Sequence, residues 1–264
     1  MDKKSIKPKK SLGQNFLKAR HVVNKIIQTA ELEKQDTVLE IGPGLGALTK
    51  EIAPLVKKLI AVEKDWELVK ILREEMPKNV EIVNDDILKY KLQATSYKLL
   101  ANLPYSIVAP VLRKFLEAEH KPKLMVLMVQ KEVAQRICAK PPKMSLLAVS
   151  VQFYATPKIV SYVSKRAFWP QPKVDSAIIK ITPCLTPGVK HSDRFFKIVK
   201  AGFSHPRKQL VNNLGKELGI ERAKIISWLS KAHIHPTQRA QTLTIQDWEN
   251  LTIITPPYLP PLET

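Results

Sequence analysis

The chain is predicted to form a doubly wound α/β sheet followed by a small all-helical domain, and three observations predict it. Apolar runs of strand length alternate with stretches of helical apolar spacing from Thr37 to Ala139. Three glycines, Gly42, Gly44 and Gly46, separate the first of these strands from the stretch that follows it. Beyond Pro183 and Pro187-Gly188 the strand-like runs stop, and only short helical patterns remain. At 264 residues the chain can bury one large core and carry an appendage. The expected division is a basic arm and covering loop over 1–20, an α/β domain over 21–184 and helices over 190–264.

Taken in order, Lys3 to Lys10 hold five lysines and read as a mobile arm or a solvated tail. Gly13-Gln14-Asn15-Phe16-Leu17 breaks the charge run and reads as an ordered lid or docking loop. Apolar residues at 22, 23, 26, 27 and 30 predict a first packed helix. Strands are expected near Thr37–Ile41, Leu59–Glu63, Glu81–Asn84, Leu99–Leu103 and Leu124–Gln130. Helices are expected over Gly46–Ala53, Trp66–Glu75, Ile107–Glu117 and Lys131–Ala139. Lys158–Ser164 and Val174–Ile181 can complete the sheet as an antiparallel hairpin. Phe195–Phe203, Lys208–Leu218, Arg222–Leu229 and Ile245–Leu251 read as the helical domain, and Thr255–Pro261 as an extended tail.

The net charge is +19, with 43 Lys and Arg against 24 Asp and Glu, and the excess is spread along the chain. Such a chain calls for a polyanionic partner, and nucleic acid is favoured over membrane because no Lys/Arg-faced amphipathic stretch stands out. No run approaches about 18 apolar residues, and the N-terminus lacks the apolar core of a signal peptide, so a soluble cytoplasmic protein is expected. Cys138 and Cys184 match no metal-site spacing, and His233-Ile234-His235 lacks neighbouring ligands, so no metal is expected. Arg207-Lys208, with Lys197, Lys200, Lys216, Arg222 and Lys224, is a candidate nucleic-acid footprint in the helical domain.

The chemistry concentrates where strands end. Glu40-Ile41-Gly42-Pro43-Gly44-Leu45-Gly46 allows a tight turn and close approach to a ligand, and with Ala47 it also fits a dinucleotide fingerprint. Glu63 ends the second strand, placed to accept both ribose hydroxyls of either a nicotinamide or a methyl-donor cofactor. Asp86 can accept from an adenine amine or cap a helix at Ile87, and Glu40 can be a capping or packing carboxylate. Asn102-Leu103-Pro104-Tyr105 separates the two cofactor readings. The amide oxygen of Asn102 and the Leu103 carbonyl can accept both N–H bonds of a planar exocyclic amine. Pro104 stiffens the turn and Tyr105 can stack on the base, which suits adenine or cytosine and not a sugar. A hydride-transfer enzyme has no use for that tetrapeptide beside its cofactor.

With these residues in place the chain resembles the small-subunit (16S) rRNA adenine N6-dimethyltransferase family over nearly its whole length. The resemblance is carried by Gly13–Leu17, the Glu40–Gly46 loop, Glu63, Asp86, Asn102–Tyr105, Phe168-Trp169-Pro170-Gln171-Pro172-Lys173-Val174-Asp175-Ser176, and Gly202-Phe203 followed by Arg207-Lys208. It implies a class I S-adenosylmethionine-dependent, Rossmann-like fold and a C-terminal helical domain that grips rRNA. It further implies that Asn15 and Leu17 cover the methionine and sulfonium end, that Gly42 with Gly44 lines the loop, that Glu63 holds the ribose and that Asp86 holds the adenine amine. Asn102 would bridge cofactor and target, and Phe168 would meet the target base's other face. The family's aromatic-Gly step is Lys140-Pro141-Pro142-Lys143-Met144-Ser145 in this chain, and His205-Pro206-Arg207-Lys208 has one basic residue fewer than the usual cluster. The implied substrate is two adjacent adenosines in the 3′-terminal hairpin of 16S rRNA within an immature 30S subunit, and the protein is expected to be a monomer. The alternatives are the macrolide-resistance type of 23S rRNA adenine methyltransferase and a non-catalytic rRNA-binding assembly factor.

Overall fold

The computed structural model describes residues 7–184 and 192–254. The start of the basic arm at Lys3 and Lys4, the Pro187-Gly188 boundary and the tail from Thr255 lie outside the described residues. Two compact units are distinguished: one runs to Gln135 and resumes over Ala155–Pro183, and the other holds Arg136–Tyr154 and the chain from Cys184 onward.

The first unit is built on strands β2 (Thr37–Ile41), β3 (Lys58–Glu63), β4 (Val80–Asn84), β5 (Lys98–Asn102), β6 (Leu124–Gln130), β7 (Ala155–Val163) and β9 (Ser176–Pro183). They form one seven-stranded sheet in the order β4-β3-β2-β5-β6-β9-β7. The first five strands are mutually parallel, and β9 runs antiparallel to both β6 and β7. The expected terminal hairpin is therefore present, with its later strand on the inside. Parallel strands covered on both faces need apolar residues at successive positions, and Val38, Leu39, Leu99, Leu100, Val126 and Leu127 are all fully buried.

Helix α1 (Arg20–Ala30) lays Val22, Val23, Ile26 and Ala30 on one face of the sheet, against Val38, Leu100, Val126 and Ile178. On the same face, further along the sheet, α3 (Trp66–Glu75) packs Val69 and Leu72 against Ala61 and Ile82, which by strand alternation share that face with Leu59 and Val80. Asp65 caps α3 by accepting from the Glu67 backbone N–H at 3.2 Å. Helix α4 (Val108–Leu116) tolerates Pro110 because the ring lies in its first turn, where no intrahelical N–H bond is lost.

Four departures from the sequence expectation have physical causes. The helix expected over Gly46–Ala53 begins only at Thr49 and is a four-residue α2 (Thr49–Ile52), followed by a 3-10 turn over Ala53–Leu55. Gly42, Gly44 and Gly46 have φ of 66°, 59° and 78°, so a right-handed helix cannot start among them, and the loop takes the place of a long helix's N-terminal amides. The fourth strand stops at Asn102 rather than Leu103, because Pro104 pulls the chain out of the ladder. The lid residues form β1 (Phe16–Leu17), which pairs antiparallel with β8 (Phe168–Trp169), a two-residue ribbon too short for any periodic signal. Helix α5 (Lys131–Ile137) ends two residues before Ala139, and an unanticipated α6 (Leu146–Gln152), capped by the Ser145 hydroxyl, belongs to the second unit.

That second unit is helical. Besides α6 it contains α7 (Ser192–Phe203), α8 (Leu210–Leu218), α9 (Arg222–Lys231) and α10 (Ile245–Ile253). Phe153 stacks on Phe195 at 4.1 Å and meets Phe196 edge-on at 5.3 Å, which ties α6 to α7. Trp228 and Trp248 are fully buried among the remaining helices. A capping box between Thr244 and Asp247 starts α10.

Candidate active site

In an open α/β sheet the strand ends that face one edge form a crevice, and side chains on those ends line it in spatial, not sequential, order. Along this edge come Asp86 beyond β4, Glu63 at the end of β3, Gly42 and Gly44 beyond β2, and Asn102 at the end of β5. They line one cleft of about 240 Å³. Asn15 and Leu17 form its wall from the N-terminal segment, and Leu103, Pro104, Tyr105 and Phe168 complete it. Eleven residues predicted from sequence thus meet in one place. Arg207 and Lys208 do not line it; they are exposed on the turn between α7 and α8 in the helical unit.

Glu63 is 7% exposed and accepts from two backbone N–H groups, Gly44 at 3.1 Å and Asp65 at 2.9 Å. Burial nevertheless pushes its carboxyl above the ordinary range. Asp86 goes the other way: Lys64, 2.9 Å from its carboxylate, and the Leu88 N–H at 3.0 Å hold it below the usual value. No helix starts at Ile87, so Asp86 caps a turn. The cleft therefore keeps an ionised acceptor at its far end and a desolvated carboxyl at its middle.

The Asn102 amide is fixed by one contact. Its Nδ2 donates to the Asn15 carbonyl at 3.0 Å, which leaves Oδ1 as the acceptor on the opposite side of the amide. Tyr105, in the 3-10 turn over Tyr105–Ile107, places its hydroxyl 3.4 Å from Ser176 Oγ. Phe168 is buried and pairs with Leu17 across the small ribbon.

Sequence reasoning missed the anchorage of the lid. Lys9 Nζ reaches Asp65 at 2.7 Å and Glu67 at 2.7 Å, and Gln14 Nε2 donates to the other Asp65 oxygen at 2.8 Å. Burial raises the Asp65 carboxyl, but Lys9, Gln14 and the Glu67 N–H outweigh it and hold the group below its ordinary value. Since Asp65 also donates its backbone N–H to Glu63, the lid and the middle of the cleft share one hub. The only local signal for this hub is its capping position before Trp66.

Glu40 also lines the cleft, 2% exposed, with one carboxyl oxygen lacking a partner. Burial pushes it up to about 8, with the neighbouring Glu63 charge adding to the rise. The folded chain therefore retains a proton that the unfolded chain gives up near 4.5, and Glu40 costs stability increasingly as pH rises from there towards about 8. Glu40→Gln removes that dependence. The difference in melting temperature between variant and wild type is expected to move in the variant's favour from pH 5 to pH 9, read by calorimetry; a pH-independent difference would mean Glu40 does not titrate there.

The fold and this edge arrangement define a class I methyltransferase. Two solved structures share the fold over nearly the whole chain: a dimethyladenosine transferase from Plasmodium falciparum, with a TM-score of 0.77 and 27% identity over 89% of this chain and 95% of that one, and the 23S rRNA methyltransferase ErmE, with a TM-score of 0.76 and 27% identity over 91% and 99%. Among curated relatives, the "Ribosomal RNA small subunit methyltransferase A" of Dehalococcoides mccartyi strain 195 is 45% identical over 96% of this chain and 90% of its own. That of Enterococcus faecalis V583 is 39% identical over 92% and 89%. The chain matches the Ribosomal RNA adenine dimethylase family over residues 5–255 and belongs to it. It is an S-adenosylmethionine-dependent rRNA adenine dimethyltransferase.

Proposed function

We propose that the chain methylates N6 of two adjacent adenosines in the 3′-terminal hairpin of 16S rRNA, acting as a monomer on an immature 30S subunit in the cytoplasm. Among the described residues no helix is long and apolar enough to cross a membrane. The fold comparison does not choose between rRNAs, since the two solved structures align equally well. The relatives at 39–46% identity, all named for the small subunit, favour 16S rRNA over the 23S alternative.

The cleft suits S-adenosylmethionine on its own chemistry. A Cβ built on Gly42 meets nothing within 4 Å, so the loop leaves open space where a ligand backbone can lie. Glu63 and Asp86 supply acceptors for vicinal hydroxyls and for an exocyclic amine, while Asn15 and Leu17 cover the end nearest Asn102. When bound, this cofactor supplies an electrophilic methyl group on a sulfonium that leaves as a neutral thioether.

The observation that carries the reading is the Asn15–Asn102 contact. An adenine N6 lone pair is delocalised into its ring, and an acceptor at each N–H is needed to hold the nitrogen out of that conjugation. Asn102 Oδ1 and the Leu103 carbonyl are those acceptors, and Tyr105 and Phe168 stack on a base that has left its helix. Held this way, the N6 lone pair would face the methyl group that the bound cofactor supplies, and the N6 proton would pass to water or a nearby carbonyl. Alignment supplies most of the acceleration, about 7–11 kcal/mol for well-oriented partners. Arg207 and Lys208 add phosphate contacts from the helical unit. The deciding experiment offers labelled methyl donor to unmethylated 30S particles, 50S precursors and protein-free rRNA. Dimethyladenosine in 16S rRNA is expected; label in 23S rRNA would favour the resistance type, and binding without transfer would leave an assembly factor.

The lid hub gives a second expectation. Asp65→Ala removes the anchor of Lys9 and Gln14 together with the α3 cap, and should weaken S-adenosylmethionine binding about tenfold by calorimetric titration. Asp65→Asn, which keeps one acceptor oxygen, should lose less. Equal affinity for Asp65→Ala and wild type would show that the lid takes no part in cofactor binding.

A further inference from the structure

The cleft accounts for only half of the sheet's functional edge. In spatial order the edge continues past Asn102 to the end of β6, the start of β9 and the end of β7. Those termini carry Lys131, Lys173 with Asp175, and Lys165, and the registers Gln130↔Ser176 and Val163↔Ser176 bring them together. Two bonds lock the backbone there: Lys131 N–H to the Asp175 carbonyl, and Lys165 N–H to the Asp175 carboxylate, both at 3.0 Å. The result is a hollow lined by Lys131, Lys165 and Lys173, with Glu132 and Asp175 as its acids.

We propose that this hollow is a phosphodiester subsite for the RNA strand next to the target adenosine. The proposal rests on the methyltransferase reading above and names where the strand runs. All three lysines are exposed and outnumber the hollow's two acids, Glu132 and Asp175, so the rim carries a net positive charge. Lys131 Nζ lies 5.1 Å from the ring centroid of Tyr162, which is 55% exposed, so the ammonium is held over an aromatic face that a neighbouring base can extend. Continuity with the reacting end is direct: Ser176, next to Asp175, places its hydroxyl 3.4 Å from that of Tyr105 in the target turn. Across Asn102, the other half of the edge carries the Asp86 carboxylate, which stays ionised and repels phosphate. An RNA strand delivering a base to Asn102 is thus steered to the lysine side.

The test uses the full chain with Lys131, Lys165 and Lys173 all changed to Gln, and separately all to Arg. Binding to unmethylated 30S particles and to a protein-free 3′-terminal 16S fragment is measured across salt concentrations with S-adenosylhomocysteine present. The Gln variant should bind both RNAs at least about tenfold more weakly, with a log–log salt slope shallower by about 2, as three single-strand phosphate contacts require. The Arg variant should behave as wild type, and cofactor affinity should stay within about twofold in both. An unchanged salt slope would overturn the subsite, as would weakened binding to the particle alone, which would place a ribosomal protein on the lysines. Wild-type protein that binds RNA and transfers no methyl group would overturn the methyltransferase reading, while the binding series still decides the subsite.

Discussion

Asn102→Ala should lower methyl transfer by about 10²–10³-fold or more while rRNA binding stays near wild type, because the lost amide acts only where the amine is held for reaction. The effect has two parts. One is the loss of the acceptor at N6. The other is structural, since the Asn15 carbonyl loses its 3.0 Å donor and the wall it belongs to is released. Asn102→Asp separates them. A carboxylate retains an acceptor for the amine but sets oxygen against the Asn15 carbonyl, so its loss of activity should be accompanied by weaker cofactor binding. Single-turnover methylation at saturating rRNA, with cofactor affinity measured separately, is the check. Normal turnover by Asn102→Ala would remove the amide from the mechanism.

What could be read from the sequence follows from range. Gly42, Glu63 and Asn102 each end an apolar run or directly follow one, and Asp86 comes three residues after one, so a local pattern places each at or just beyond a strand terminus, and a parallel sheet gathers such termini at one edge. The contacts that hold the wall in place have no such pattern. Asn15 and Asn102 are 87 residues apart, Gln14 and Asp65 are 51 apart, and the ribbon of Phe16 with Trp169 has only two residues on each side. The glycine loop shows the opposite failure. Its composition was legible, but positive φ angles at three alternate residues postpone the helix to Thr49, which apolar spacing alone cannot reveal. Residues 136–154 were read with the sheet because they follow its fifth strand, yet Phe153 and Tyr154 pack with Phe195 and Phe196, a choice made by aromatic burial far along the chain.

The helical unit has a comparable single point of failure at Gly202, where substitution by Ala should unfold or loosen it without touching the cofactor cleft. Within α7 a glycine is ordinarily a liability, and Ala should gain up to about 1 kcal/mol of helix propensity. Space forbids the gain. A Cβ at 202 would lie 2.4 Å from Trp248 Cη2 and 3.0 Å from Leu210 Cδ1, and Trp248 is fully buried with no freedom to retreat. The backbone is pinned as well, since the Gly202 carbonyl accepts from the buried Asn213 side chain at 2.7 Å. Overpacking of this kind costs about 1–3 kcal/mol and more where the neighbour is rigid, so the clash should exceed the propensity gain. Gly202→Ala is therefore expected to lower the melting temperature of the helical unit by several degrees, and Gly202→Val by more, while S-adenosylmethionine affinity, whose determinants all lie in the other unit, stays within about twofold. Calorimetric unfolding and cofactor titration on the same samples would show it. A stabilised Gly202→Ala protein would mean that Trp248 can shift, and that the glycine next to Phe203 serves something other than close packing.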